Sequence, residues 1–170
     1  MAKRRAGAEP DTSGDAWVKV AGYTRKYFIT RTDVGAAARI DDEAQLEIAG
    51  TIEAISPAQK KHLGAAMHIS LLSAQNYSAE SKTVSAFFGS LTLRGSQRSA
   101  LAYLPPKPFW ELPAIISGGS YWLCLGWNSM RRGFADLTSV FVGDDADLEQ
   151  FASTCVRQSE SAERSIEGVS

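Results

Sequence analysis

An all-β, mainly antiparallel fold, either a β-sandwich or an open barrel with one short C-terminal helix, is what this chain predicts. Three observations carry that expectation. Apolar and polar residues alternate at period two in several segments, turn-forming residues separate those segments, and only one stretch, near the C-terminus, has a 3–4 apolar spacing. At 170 residues, 44% hydrophobic and 22% charged, the chain has the composition of one ordinary globular domain. We divide it into a disordered basic arm at 1–15, a single β-rich domain at 16–158 and a flexible polar tail at 159–170.

Taken in order, "WVKVAGYTRKYFI" (17–29) is rich in Val, Tyr, Phe and Ile, which is strand chemistry. "TDVGAAARIDDEA" (32–44) reads as a connection with one helical turn. "QLEIAGTIEAI" (45–55) puts Leu46, Ile48 and Ile52 on one parity and Gln45, Glu47, Thr51 and Glu53 on the other, as a half-buried strand requires. Pro57 ends that strand. "HLGAAMHISLL" (62–72) repeats the pattern, with Leu63, Met67, Ile69 and Leu71 facing one way and His62 and His68 on the wetter face.

After the polar loop "SAQNYSAESK", the segments "TVSAFFGSLTL" and "SALAYL" form a hairpin about a five-residue turn, "RGSQR". The stretch "PPKPFWELP" (105–113) is a rigid corner, because proline lacks the amide donor that a strand interior needs. A second hairpin joins "SYWLCLGW" to "GFADLTSVFVG" around "NSMRR". In its first strand Tyr121, Leu123, Leu125 and Trp127 share one parity while Trp122 and Cys124 hold the other, so both faces need cover. "DDADLEQFASTCVRQ" closes the domain as a helix, with acids in its first turn and Leu148, Phe151 and Cys155 on one face.

Several function classes are excluded at this level. A formal net charge of −1 and a pI near 6.1 do not suit a protein that holds nucleic acid by bulk positive charge. The basic opening "MAKRR" is followed by no apolar run of signal-peptide type, and "YWLCLGW" is far short of the roughly 20 residues that span a bilayer. A soluble, cytoplasmic protein with no membrane partner and two reduced cysteines is expected. No phosphate loop, dinucleotide fingerprint or nucleophile elbow is present, so neither a cofactor nor a catalytic residue is expected and the chain is read as a non-enzyme. His62 and His68, if on one strand, lie roughly 20 Å apart and cannot share a metal. The clusters Asp41-Asp42-Glu43 and Asp144-Asp145-Asp147 fall in polar connections, where both members stay ionised.

The basic residues are more suggestive. Lys3, Arg4 and Arg5 form the arm, Arg94 and Arg98 flank one turn, and Arg131 and Arg132 fill another beside Asn128, Trp127 and Phe134. Two functions are compatible with this. The first is a binding or assembly module whose sheet faces and hairpin loops contact a protein partner or a second copy of the chain. The alternative is a single-stranded nucleic-acid binder of open-barrel type, whose hairpin tips stack bases and pair phosphates. In both, the candidate binding residues are Arg94, Arg98, Trp127, Asn128, Arg131, Arg132 and Phe134. Convergence of the four arginines on one face favours nucleic acid; their dispersal favours assembly.

Overall fold

Seven strands of β-branched and aromatic residues pair edge to edge until the sheet closes on itself in this computed structural model, which describes residues 13–34, 37–74, 88–117 and 121–155, with backbone alone at 30–34 and 37–42. The long strands β1 (Gly14–Val34) and β2 (Ala37–Ile55) form an antiparallel hairpin, and β2 pairs with β3 (Ala66–Ala74). β3 then runs parallel to β5 (Gln97–Leu104), which pairs antiparallel with β4 (Gly89–Arg94). β4 joins β7 (Phe134–Gly143), β7 joins β6 (Trp122–Arg131), and β6 returns to β1 over Gly14–Lys19. The sheet is therefore mostly antiparallel, as expected, but it is a closed mixed barrel rather than a sandwich or an open barrel. Closure gives every strand of the barrel body two neighbours and leaves no edge there.

Side-chain parity fills the interior. Leu46, Ile48 and Ile52 of β2 and Ile69 and Leu71 of β3 are fully buried in one core, as their alternation requires. Leu63, expected on the same face, is exposed, because the chain before β3 is a 3-10 turn (Pro57–His62) and not strand. β1 obeys the rule only in two pieces. Ala16, Val18 and Val20 face the core, but Ala21 is an extra residue between the pairs Val20↔Gly50 and Gly22↔Ala49. A bulge of this kind bends a strand and re-aims the side chains past it. From there on the odd residues Tyr23, Arg25 and Tyr27 oppose Ile48, Leu46 and Ala44 and so take the inward parity. The connection expected at 32–44 is instead strand: β1 runs to Val34 and β2 resumes at Ala37, a ribbon that projects beyond β6 and β3.

The proline stretch is also corrected. α1 (Pro106–Ile116) is a helix whose N-cap is Pro105. Prolines fit a first turn because the amides they lack have no partner inside the helix. Pro113 falls inside the helix, is buried, and offers its carbonyl to the Ser117 amide at the C-cap. Phe109, Leu112 and Ile116 of α1 are buried, so the helix plugs the end of the barrel beneath the ribbon.

The C-terminal helix forms as expected, and we call it α2 (145–155). Asp144 and Asp147 cap it reciprocally: the Asp144 amide donates to Asp147 Oδ2 at 3.1 Å and the Asp147 amide to Asp144 Oδ1 at 3.0 Å. α2 covers the outer side of β1, β6 and β7, where the Trp17 ring meets Phe141 edge-on at 5.4 Å and Phe151 at 5.8 Å. Cys124, fully buried on the outward parity of β6, is thus packed rather than displayed. The arm residues Lys3, Arg4 and Arg5, the loop around 75–87 and the tail at 159–170 lie outside the described residues. Among the described residues no helix is long and apolar enough to cross a membrane.

Candidate functional site: two hairpin turns side by side

β4 and β6 run toward the same end of the barrel, so their turns meet there. The β4–β5 turn is two residues long, not five: Arg94 pairs with Gln97 across Gly95-Ser96. Gly95 takes a φ of 56° at the first central position, as a type II′ hairpin turn demands. The β6–β7 turn is not "NSMRR" either: Asn128 to Arg131 belong to β6, and the turn is Arg132-Gly133 alone, with φ of 51° and 83°. Positive φ at both central residues is the type I′ pattern, for which Asn-Gly is the favoured pair.

The two turns touch through backbone. The Leu93 amide donates to the Gly133 carbonyl at 2.7 Å, and a Cβ on Gly133 would come within 2.5 Å of the Leu93 carbonyl oxygen and 3.2 Å of Arg94 Cβ. Only glycine permits this approach. On the outward parity the Arg94 guanidinium lies 5.8 Å from the centre of the Phe134 ring, and Arg131 is the cross-strand partner of Phe134. Beside them a shallow groove of about 430 Å³ crosses β4, β7 and β6, lined by Ser90, Asn128, Arg131, Phe134, Asp136 and Thr138. Two shifts of register in the β6–β7 ladder, around Trp127 and before Met130, push Asn128 and Ser129 out as exposed side chains.

Five of the seven expected residues are therefore together: Arg94, Asn128, Arg131 and Phe134 around one groove, with Arg132 on the turn that borders it. Two are not. Trp127 is buried in the core because it shares the parity of Leu123 and Leu125, so its role is packing. Arg98, opposite the buried Leu93, is half-buried and donates from Nε to His62 Nδ1 at 3.2 Å.

His62 itself corrects the expectation of two histidines on a wet strand face. It closes the 3-10 turn and is buried, whereas His68 alone is exposed on β3. Burial, then the charges of Arg98 and Lys61, hold the His62 imidazole below its ordinary value of 6.5, against a smaller opposing hydrogen bond at Leu93. A histidine lowered on folding favours the native state above its unfolded pKa. That contribution is lost as pH falls below about 6.5 toward the folded value. Thermal melts across this window should therefore show a fall in Tm below pH 6.5 that is smaller in His62→Gln, whose amide does not titrate.

Two further clusters of chemistry-bearing groups lie among the described residues. Glu47 accepts from Ser70 Oγ at 2.8 Å, pairs with His68 Nε2 at 2.8 Å and accepts from Gln45 Nε2. A hydrolase relay needs the imidazole between hydroxyl and carboxylate, and here the carboxylate is in the middle. A second groove of about 590 Å³ lies between the barrel and α2, lined by Asp15, Ser56, Asn128, Thr138, Phe151 and Cys155. Burial raises the Asp15 carboxyl, and burial followed by the Asp15 charge raises both the Cys155 and Cys124 thiols. Thiols held protonated in this way are poor nucleophiles. Among the described residues no group of three His, Cys, Asp or Glu could hold a metal ion.

Arg132 is the strained member of the patch. A left-handed conformation costs a side chain with a Cβ about 1–2 kcal/mol. Arg132→Asn should relieve part of this, raising stability on the order of 1 kcal/mol and Tm by roughly 3 °C. Differential scanning calorimetry reads the gain directly. The chain matches no family model, and no curated protein and no solved structure was found to match it.

Proposed function

We propose that this protein binds single-stranded nucleic acid through the paired hairpin turns. The reading rests on one observation above the rest: two arginines, Arg94 and Arg131, and the Phe134 ring from separate hairpins meet on one outward face, and a third, Arg132, stands on the bordering turn at a backbone position where Asn would be more stable. Strain kept at a surface turn points to a use for the side chain. Phe134 offers a face for base stacking, the three guanidinium groups offer phosphate contacts, and Ser90, Asn128, Asp136 and Thr138 offer donors and acceptors to base edges in the groove. The strand order 1-2-3-5-4-7-6 sets the β4–β5 and β6–β7 turns side by side at one end of the barrel. A net charge of −1 is no obstacle, because the positive charge is local.

The test is a titration of a labelled oligothymidylate at several salt concentrations. Saturable binding whose affinity falls linearly on a log–log plot, with preference over the duplex, supports the reading. Lack of saturable binding near 50 mM salt rejects it.

A second reading, association with another copy of the chain, is favoured by a different observation. Past Lys19 no strand among the described residues pairs with β1 on the side away from β2. An open edge is a template for strand pairing, yet Arg25 and Lys26 stand on it, and charge on an edge discourages such pairing. We rank it second for that reason. Light scattering on a sizing column reads it: a monomer at high concentration removes it.

A further inference from the structure

The end of the barrel opposite the turns carries a second aromatic and basic surface that the sequence did not single out. Beyond the Ala21 bulge the inward-parity face of the ribbon presents Tyr23, Arg25 and Tyr27, with Tyr23 41% and Tyr27 53% exposed. α1 lies against this face. The Arg25 guanidinium sits 5.1 Å from the centre of the Trp110 ring, Trp110 is 45% exposed, and the Tyr23 hydroxyl is 3.1 Å from Ser117 Oγ.

The two faces of the ribbon differ in charge. On the outward face Lys26 pairs with Gln45, while Thr24 and Phe28 to either side of it face Glu47 and Glu43, so acids flank its register position. On the inward face the partners of Tyr23, Arg25 and Tyr27 are Ile48, Leu46 and Ala44, which carry no charge. Arg25 therefore stands among aromatic rings without an acid from β2. A protein surface with exposed rings and a guanidinium that no β2 acid faces is complementary to bases and phosphate.

We propose that this face is a second contact surface for the same single strand, with Trp110, Tyr23 and Tyr27 stacking bases and Arg25 pairing a phosphate. Tyr23 and Tyr27 are four strand positions apart, about 13 Å along the ribbon. They can thus serve alternate bases of an extended strand, with Arg25 between them. The inference rests on the nucleic-acid reading above but uses none of its residues.

The experiment compares Trp110→Ala, Tyr27→Ala and Arg25→Ala with the intact chain in oligothymidylate titrations, following both anisotropy and tryptophan emission. Of the four Trp, Trp17 and Trp127 are buried and Trp122 is half-buried, hydrogen-bonded to Asp145 and covered by Lys19, so Trp110 is the ring most open to stacking. Binding should quench its emission. Trp110→Ala should weaken binding roughly 5- to 100-fold and remove the quench, with an unchanged salt slope, since a stacking ring displaces no counterion. Trp110→Phe should recover most of the affinity. Arg25→Ala should make the slope shallower by about 0.7. Circular dichroism confirms that each surface variant folds. Wild-type affinity in Trp110→Ala and Tyr27→Ala, together with weakened binding when Arg131 and Arg132 are replaced, overturns this inference and leaves the turn-end reading standing. Absence of binding by the intact chain overturns both.

Discussion

Replacing Arg131 and Arg132 together by alanine should weaken oligothymidylate binding on the order of 10- to 100-fold near 50 mM salt. Each phosphate contact to a single strand contributes about 0.7 to the slope of log affinity against log salt, so losing two makes the slope shallower by roughly 1.4. From about 1 M salt, where this contribution fades, down to about 50 mM is a twentyfold change, and twenty to the power 1.4 is roughly 65. The fold should survive, because both side chains are exposed and surface replacements usually stay within about 0.5 kcal/mol. Arg132→Asn separates the two effects within one residue: stability rises while affinity falls. Unchanged affinity and slope in the double variant would mean that the patch is a decorated turn and nothing more.

Phe109→Ala should be the most damaging single change to stability, at about 3–5 kcal/mol. Phe109 is fully buried, is among the largest such side chains, and meets Trp110 edge-on at 5.3 Å. At roughly 3 °C for each kcal/mol in a domain of this size, Tm should fall by about 10 °C or more. The loss has two sources, the transfer of the ring and the cavity left where α1 plugs the barrel end. Denaturant unfolding measures it. A cost below about 1 kcal/mol would show that α1 does not close the core. Because Phe109 seats Trp110, the variant should also loosen the Arg25 stack, so a nucleic-acid defect in Phe109→Ala belongs to both sites and does not assign either.

Much of the fold was legible from residue parity. The alternation at Leu46, Ile48 and Ile52, the two-sided apolar strand around Cys124 and the acid-led helix after Gly143 all appear as their spacing implies. Arg94 flanks its turn and Arg132 sits in the other as expected, whereas Arg131 ends β6. Trp127 was legible too: its parity with Leu123 and Leu125 places it inside, and nearness to the turn in sequence was the weaker guide.

The hidden features have physical causes. A proline run signals a break wherever it falls, but at an N-cap and in a first turn it costs the helix nothing, and Pro105 to Pro108 sit there. The bulge at Ala21 reverses the parity of everything after it, so Tyr23, Arg25 and Tyr27, which a fixed period of two from Val18 would turn outward, take the inward face. Arg98 looked like its neighbour Arg94 until the 3-10 turn brought His62 beneath it. Closure of the barrel, which sets the two turns side by side, is a property of strand order and lies in no single segment.

The most direct measurement is the amide chemical-shift response of the 15N-labelled chain to an oligothymidylate. Gly95 and Gly133 mark the two turns, and both amides should shift together with those of Arg94, Arg131 and Phe134, at a common dissociation constant that rises with salt. Shifts confined to the groove beneath α2, or a spectrum that the oligonucleotide leaves unchanged, would contradict the account.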